Sequence, residues 1–290
     1  MTVPFPPRRL FTIPLPHRDP LHLGGRCLVM GVVNVTPDSF ADERTLRDPD
    51  AAAAHALALE SEGADLVDIG GESTRPGAGP VGEADELARV TPVLRRLAGR
   101  LRVPLSIDTS KAAVARAALD FGAAIVNDVT GLQRDPAVGE AAAAAGAALI
   151  LMHSRGTPAS MGSLASYTDL AGEIVGELRA AIDRAVASGV SRGSILIDPG
   201  IGFAKRRHHS YGVLARLGAI AAALDRPLVA GPSRKSFMRE ETGDDARARD
   251  WGTAAAVTAA VLAGAHVVRV HDVRAMTQVV KVAEEIRRHG

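Results

Sequence analysis

Cysteine is almost absent from this chain: Cys27 is the single one in 290 residues. One thiol excludes an intramolecular disulfide framework and a cysteine-rich zinc site, and it makes a reducing cytoplasm the expected compartment. Aromatic residues are also scarce, 3% of the chain against 47% for all hydrophobic types. The core must therefore be built from small aliphatic side chains, which suits helices packed closely on a parallel sheet. Neither sign of charge is in excess, with 34 Lys+Arg against 33 Asp+Glu and a formal net charge of +1. That balance argues against a nucleic-acid or membrane-surface partner and confines anion binding to a local site. The opening MTVPFPPRRLFTIPLPHRDP is broken by prolines where a signal peptide needs a continuous apolar core. No later run approaches the ~20 apolar residues of a membrane span, so an intracellular, soluble protein is expected.

What the chain does contain is a repeated pattern. Ile195 to Lys205, ILIDPGIGFAK, is a short apolar run that ends at a carboxylate, Asp198, and passes into a glycine-containing loop. A strand buried on both faces delivers a charged side chain to a site in this way. The pattern recurs in LVDIGG (Leu66 to Gly71), LSID (Leu105 to Asp108), AIVND (Ala124 to Asp128) and VVRVH (Val267 to His271). One such run is commonly just a strand meeting a turn. Recurrence implies a shared architecture.

After an N-terminal extension of residues 1–25, expected to run from Leu10 as an extended cover, the strands read as Arg26 to Asn34, Leu66 to Ile69, Leu105 to Asp108, Ala124 to Asp128, Ala147 to Met152, Ile195 to Asp198, Pro227 to Ala230 and Val267 to Val270. A helical stretch follows each: Asp50 to Glu62 with Asp50 as N-cap, Glu83 to Gly99 bent or divided at Pro92, Lys111 to Phe121, one centred on Ala141 to Ala145, Asp169 to Ser188, Ser210 to Leu224, Asp250 to Ala263 and Arg274 to Arg288. Eight alternating units without a linker predict a single-domain α/β fold, a (β/α)8 TIM barrel over residues 26–290. A doubly wound open sheet competes, but no G-x-G-x-x-G opens a helix after the first strand.

In a barrel all eight strand ends face one mouth. Asn34, Asp68 to Glu72, Asp108, Asn127, Met152, Asp198, Lys235 and His271 then converge, although they are scattered along the sequence. Period-two alternation puts Arg269 and His271 on one face, so they can share a ligand. With Asn34 and Arg75 they make an anion pocket suited to phosphate or pyrophosphate, and Lys235 of the Arg234-Lys235 pair projects over the mouth. Asp108, Asn127 and Asp198 need hydrogen-bond donors if buried, and a flat heterocycle with ring N–H groups and an exocyclic amine supplies them. The competing reading makes each Asp a helix cap.

MGVVNVTPDSF, DIGGESTRPGA, SIDTSK, IVNDVTG, LMHSRGTP, DPGIGF, GPSRKSF and RVHDV, in this order, resemble the signature set of the dihydropteroate synthase family. The resemblance implies a TIM barrel that condenses 6-hydroxymethyl-7,8-dihydropterin diphosphate with p-aminobenzoate, releasing pyrophosphate. It also implies Mg2+, sulfonamide sensitivity and a homodimer. By motif, Asp108, Asn127, Asp198 and Lys235 are similar to the family's pterin-binding set, with Met152 packing near the ring. Asn34, Arg269 and His271 match the diphosphate and Mg2+ end. Phe40, Ser73, Thr74, Arg75, Pro76, Phe203 and Ser236 match the p-aminobenzoate region, and Asp38 is a candidate for positioning Mg2+ or Arg75. The resemblance implies loss of pyrophosphate ahead of amine attack, with no protein nucleophile.

Three stretches depart from the family pattern: SFADERT in the first loop, Ser154-Arg155 in the fifth, expected to alter ligand access, and Ala204 with the basic run to His209 in the sixth. Adjacent His208 and His209 read as an exposed helix start rather than a metal site. Two other classes remain open at this point, a pterin-binding paralogue without turnover and a barrel transferring methyl from a reduced folate to a corrinoid.

Overall fold

The computed structural model describes residues 5, 7–36, 48–75, 77–243, 245 and 248–290. Two short strands, β1 (Phe11–Ile13) and β2 (Leu21–Leu23), pair antiparallel ahead of the main sheet. Eight strands then follow: β3 (Leu28–Asn34), β4 (Leu66–Gly70), β5 (Leu105–Asp108), β6 (Ile125–Asp128), β7 (Ala148–Met152), β8 (Ile195–Asp198), β9 (Val229–Ala230) and β10 (Val267–Val270). All neighbouring pairs are parallel, in the order β8-β7-β6-β5-β4-β3-β10-β9, and a parallel bridge from Ile197 to Leu228 joins the two ends. The sheet is a closed eight-stranded barrel, as expected.

The helices around it are α1 (Pro49–Ser61), α2 (Glu83–Leu97), α3 (Ala112–Asp120), α4 (Ala137–Ala145), α5 (Leu170–Ala187), α6 (Arg207–Leu224), α7 (Arg239–Thr242), α8 (Ala248–Leu262) and α9 (Val273–His289). The N-cap of α1 is Asp48, not Asp50: Asp48 accepts from the Asp50 backbone, and Pro49 takes the first helical position, where no N–H is needed. Asp50 instead pairs with Arg96 of α2. Pro92 does not divide α2, which runs unbroken through it. The four-residue α7 carries no periodic signal and was not expected.

The shortage of aromatics has a visible use. Gly31 on β3 faces outward against α1 and α9, and a Cβ there would stand 2.9 Å from Val273 and 3.0 Å from Leu59. Such close approach requires the small buried faces that the helices present, Ala52, Ala53 and Ala56 on α1 among them. Inside the barrel Leu28, Met30, Leu66, Ile125, Ile150, Leu196, Val229 and Val267 form one apolar cluster with Ile13, Leu15 and Leu23. The β1–β2 hairpin thus seals the N-terminal end, and only the opposite end is left for chemistry.

Candidate active site

Side chains alternate along a strand, so the parity of the apolar floor fixes which residues line the layer above it. On β3 the inward series Leu28, Met30 continues to Asn34; on β4, Leu66 continues to Asp68 and Gly70; on β6, Ile125 to Asn127; on β7, Ile150 to Met152; on β8, Leu196 to Asp198; on β10, Val267 to Arg269. Register then sets neighbours side by side: Gly70 with Asp108, Asp108 with Asn127, and Met152 with Asp198. The expected residues of these strands therefore share one upper layer.

Within that layer the polar groups hold one another. Asp68, fully buried, accepts from Arg269 Nε at 2.7 Å and from Asn127 Nδ2 at 3.0 Å, both on Oδ2. Its Oδ1 has no hydrogen-bond partner. The other edge of the Arg269 guanidinium donates to Asp108 Oδ2 at 2.8 Å. Sequence reasoning brought Asp68 to the mouth by its inward parity in LVDIG but gave it no role. Burial and the neighbouring Asp68 hold Asp108 above the ordinary carboxylate range despite Arg269. Burial likewise raises Asp198, opposed by Lys235. Asp198 Oδ1 accepts from Gly200 N at 2.7 Å.

Lys235 donates to the Ile201 carbonyl and its Nζ lies 4.3 Å from the centre of the half-buried Phe203 ring. Burial lowers its pKa to about 8, with Asp198 resisting the shift. His271 Nδ1 is 2.9 Å from Ser233 Oγ, which also accepts from the His271 backbone N–H at 3.2 Å. That hydroxyl has its proton free for Nδ1, which leaves Nε2 as the protonated nitrogen. Burial, with Arg234 and Arg269 nearby, pushes His271 down to about 3. It therefore serves as a neutral N–H donor rather than as a cation.

Other expectations resolve differently. Arg234 is held by α8 instead of standing solvated beside Lys235: its guanidinium forks onto Asp250 at 2.8 and 3.1 Å. Arg155 turns to α5, bonded to Glu173 and Glu177 with its guanidinium 4.1 Å over Tyr167. Ala204 takes a left-handed backbone, φ 47°, where glycine is cheaper, and the Tyr167 hydroxyl bonds its carbonyl at 3.0 Å. His209 caps the start of α6 by accepting from Arg206 N, and His208 is exposed. Ser73 and Thr74 are half-buried after β4, Arg75 and Ser236 are exposed, and Asp38, Phe40 and Pro76 lie outside the described residues.

The sequence is 43% identical over 280 residues to the dihydropteroate synthase of Synechocystis sp., spanning 96% of each chain. A Yersinia pestis dihydropteroate synthase solved with a sulfonamide drug complex superposes with a TM-score of 0.90 at 40% identity, over 96% of this chain and 100% of that one. The Burkholderia cenocepacia enzyme complexed with 7,8-dihydropteroate gives 0.83 at 36% identity, over 97% and 98%. The pterin binding enzyme family matches residues 30–271, and the chain belongs to that family.

Proposed function

We propose that this chain is a dihydropteroate synthase, joining 6-hydroxymethyl-7,8-dihydropterin diphosphate to p-aminobenzoate with release of pyrophosphate. One observation carries the reading: Asp68, Asp108, Asn127 and Asp198 form a buried acceptor wall at the C-terminal end of the barrel, bridged by Arg269. The curated relatives are synthases, which favours this over the inactive-paralogue and methyltransferase readings.

Asp108, Asn127 and Asp198 receive the pterin ring's N–H and amine donors, with Met152 against its face. As the carbon–oxygen bond to the diphosphate breaks, Asp198 stabilises positive charge spreading into the ring. The Arg269 guanidinium and His271 Nε2–H stabilise the departing oxygens. Phe203, Ser73, Thr74, Arg75 and Ser236 position p-aminobenzoate, whose amine attacks the freed carbon, and the enclosed mouth limits capture by water. Asn34, whose side chain offers an amide oxygen at the inward end of β3 beside Gly70, is the residue that would hold Mg2+. When bound, that ion neutralises charge on the leaving group.

A homodimer and a cytoplasmic location belong to the same reading. Trp251, 82% exposed, stands beside an apolar cleft lined by Tyr211, Leu214, Met238 and Ala256, which supports association through α6 and α8; light scattering measures it. No helix among the described residues is long and apolar enough to cross a membrane. The function is tested by pyrophosphate release from the pterin diphosphate and Mg2+. Release that requires p-aminobenzoate is expected, and its absence overturns the reading.

A further inference from the structure

Asp198 has a lysine at each edge. On the Oδ1 side the carboxylate accepts from Gly200 N, and Lys205 Nζ stands 3.4 Å from where a Cβ on that glycine would be. On the Oδ2 side a Cβ on Gly231 would stand 3.8 Å from Oδ2 and 3.9 Å from Lys235 Nζ. Lys235 reaches the mouth. Lys205 is buried behind the loop after β8, donating to the Phe203 carbonyl at 3.1 Å, with its Nζ 2.8 Å from His153 Nδ1. His153 is buried too; its Nε2 makes no hydrogen bond but lies 3.2 Å from Glu177 Oε2, whose side chain is 36% exposed. A line of proton-carrying groups therefore runs from solvent, through Glu177 and His153, to the back of Asp198. The mechanism above uses none of it.

We propose that Lys205 is a positioning residue that sheds a proton when a pterin ring docks on Asp198, being an ammonium in the empty site and an amine in the occupied one. The proposal rests on the pterin reading of the mouth. An N–H bond of the ammonium breaks and its proton passes to His153 Nδ1. The Nε2 proton moves to the Glu177 carboxylate and then to solvent, so one H+ leaves and the imidazole stays neutral in its other tautomer. Docking drives the step because ring donors draw the Asp198 charge away from Lys205 and displace water.

Every charged group packed on Lys205 has a side in this balance. Asp198 and Glu177 favour the ammonium; Lys235 and Arg155 oppose it, and burial opposes it most, already lowering the pKa to about 7. The Tyr167 ring, 6.0 Å away, is neutral, and His153 is held neutral by burial, at about 4. His209, whose own pKa Lys205 helps to lower, lies on the α6 side. A group poised near neutrality responds to a small loss of opposing charge.

The test is calorimetric titration of 6-hydroxymethylpterin, which lacks the diphosphate, into the full chain near pH 7 in buffers of different ionisation enthalpy. The wild type is expected to show net proton release on binding, read from the change of observed enthalpy with the ionisation enthalpy of the buffer. K205M and K205R, each checked for a cooperative melt, are expected to bind with release near zero; the arginine keeps a cation that cannot deprotonate. Equal release in wild type and variants overturns the proposal. So does release that persists in them with its maximum near pH 8, which assigns the proton to Lys235. A wild type that binds no pterin sinks the pterin reading itself, a result distinct from ring binding without proton release.

Discussion

Replacing Asp68 by Asn tests the arrangement of the upper layer. The amide keeps the shape of the carboxylate, and its carbonyl can still face Arg269 Nε and Asn127 Nδ2, the donors at 2.7 and 3.0 Å. What disappears is the charge. The bond from Asn127 becomes neutral and the bond from Arg269 keeps only the charge of the cation, a loss of roughly 1 kcal/mol each, and the guanidinium is left with one carboxylate instead of two. The total is about 2–3 kcal/mol, less than the ~3–5 kcal/mol of breaking a buried pair outright, because Asp108 still holds the far edge of the guanidinium at 2.8 Å. Unfolding entropy of about 2.1 cal/mol/K per residue, over 290 residues, is about 0.6 kcal/mol/K, so Tm falls by about 3–5 °C. Asp68→Ala removes both acceptors and is expected to fall further. Scanning calorimetry on the two variants reads these shifts directly. An Asp68→Asn protein that melts within about 1 °C of the wild type refutes the view that Arg269 depends on this carboxylate.

Lys235→Ala leaves Asp198 without its mouth-side cation, and kcat/KM for the pterin diphosphate is expected to drop on the order of 10- to 100-fold; unchanged steady-state kinetics would contradict the placement. Acid sensitivity follows from His153, whose pKa is lowered from 6.5 to about 4 in the folded chain. The unfolded state binds that proton first, so the contribution is whole above pH 6.5 and is lost as pH falls towards 4, about 3 kcal/mol in all. His153→Gln should flatten that part of the Tm-against-pH curve, and a parallel curve would count against it. Gly200→Ala places a Cβ 1.9 Å from the His153 carbonyl at φ 67°. A cost of roughly 2–4 kcal/mol and weakened pterin binding are expected, read by melting and titration together.

Much of this was legible because a parallel barrel writes its strands as short apolar runs and ends them at the site. The LSID, ILID and VVRVH runs each carry their functional residue at the last inward position, so alternation alone assigns the face. Asp68 was harder, since it lies one inward step below the strand end and its importance comes from Arg269, 201 residues away. The partner of Arg234 was hidden for a related reason: composition shows a cation in a loop but not that its backbone turns left-handed, φ 54°, and carries the guanidinium to Asp250. Asp48 displaced Asp50 as a cap because two aspartates flank one proline, and only the geometry of the first turn selects between them.

The charges of the layer explain why such a polar interior is tolerated at all. Asp68, Asp108 and Asp198 face Arg269, Lys235 and Lys205, three carboxylates against three cations, in a space whose floor is entirely aliphatic. An unpaired carboxylate there would neutralise itself by taking a proton. Arg269 bridges Asp68 and Asp108, and Lys235 and Lys205 both oppose the rise that burial imposes on Asp198. A ring that presents donors to these carboxylates can replace part of this pairing without leaving a buried charge bare, whereas a ring edge of acceptors would face carboxylate oxygens with nothing to donate. Selectivity for a donor-rich heterocycle is in this sense a by-product of how the empty barrel satisfies its own charges.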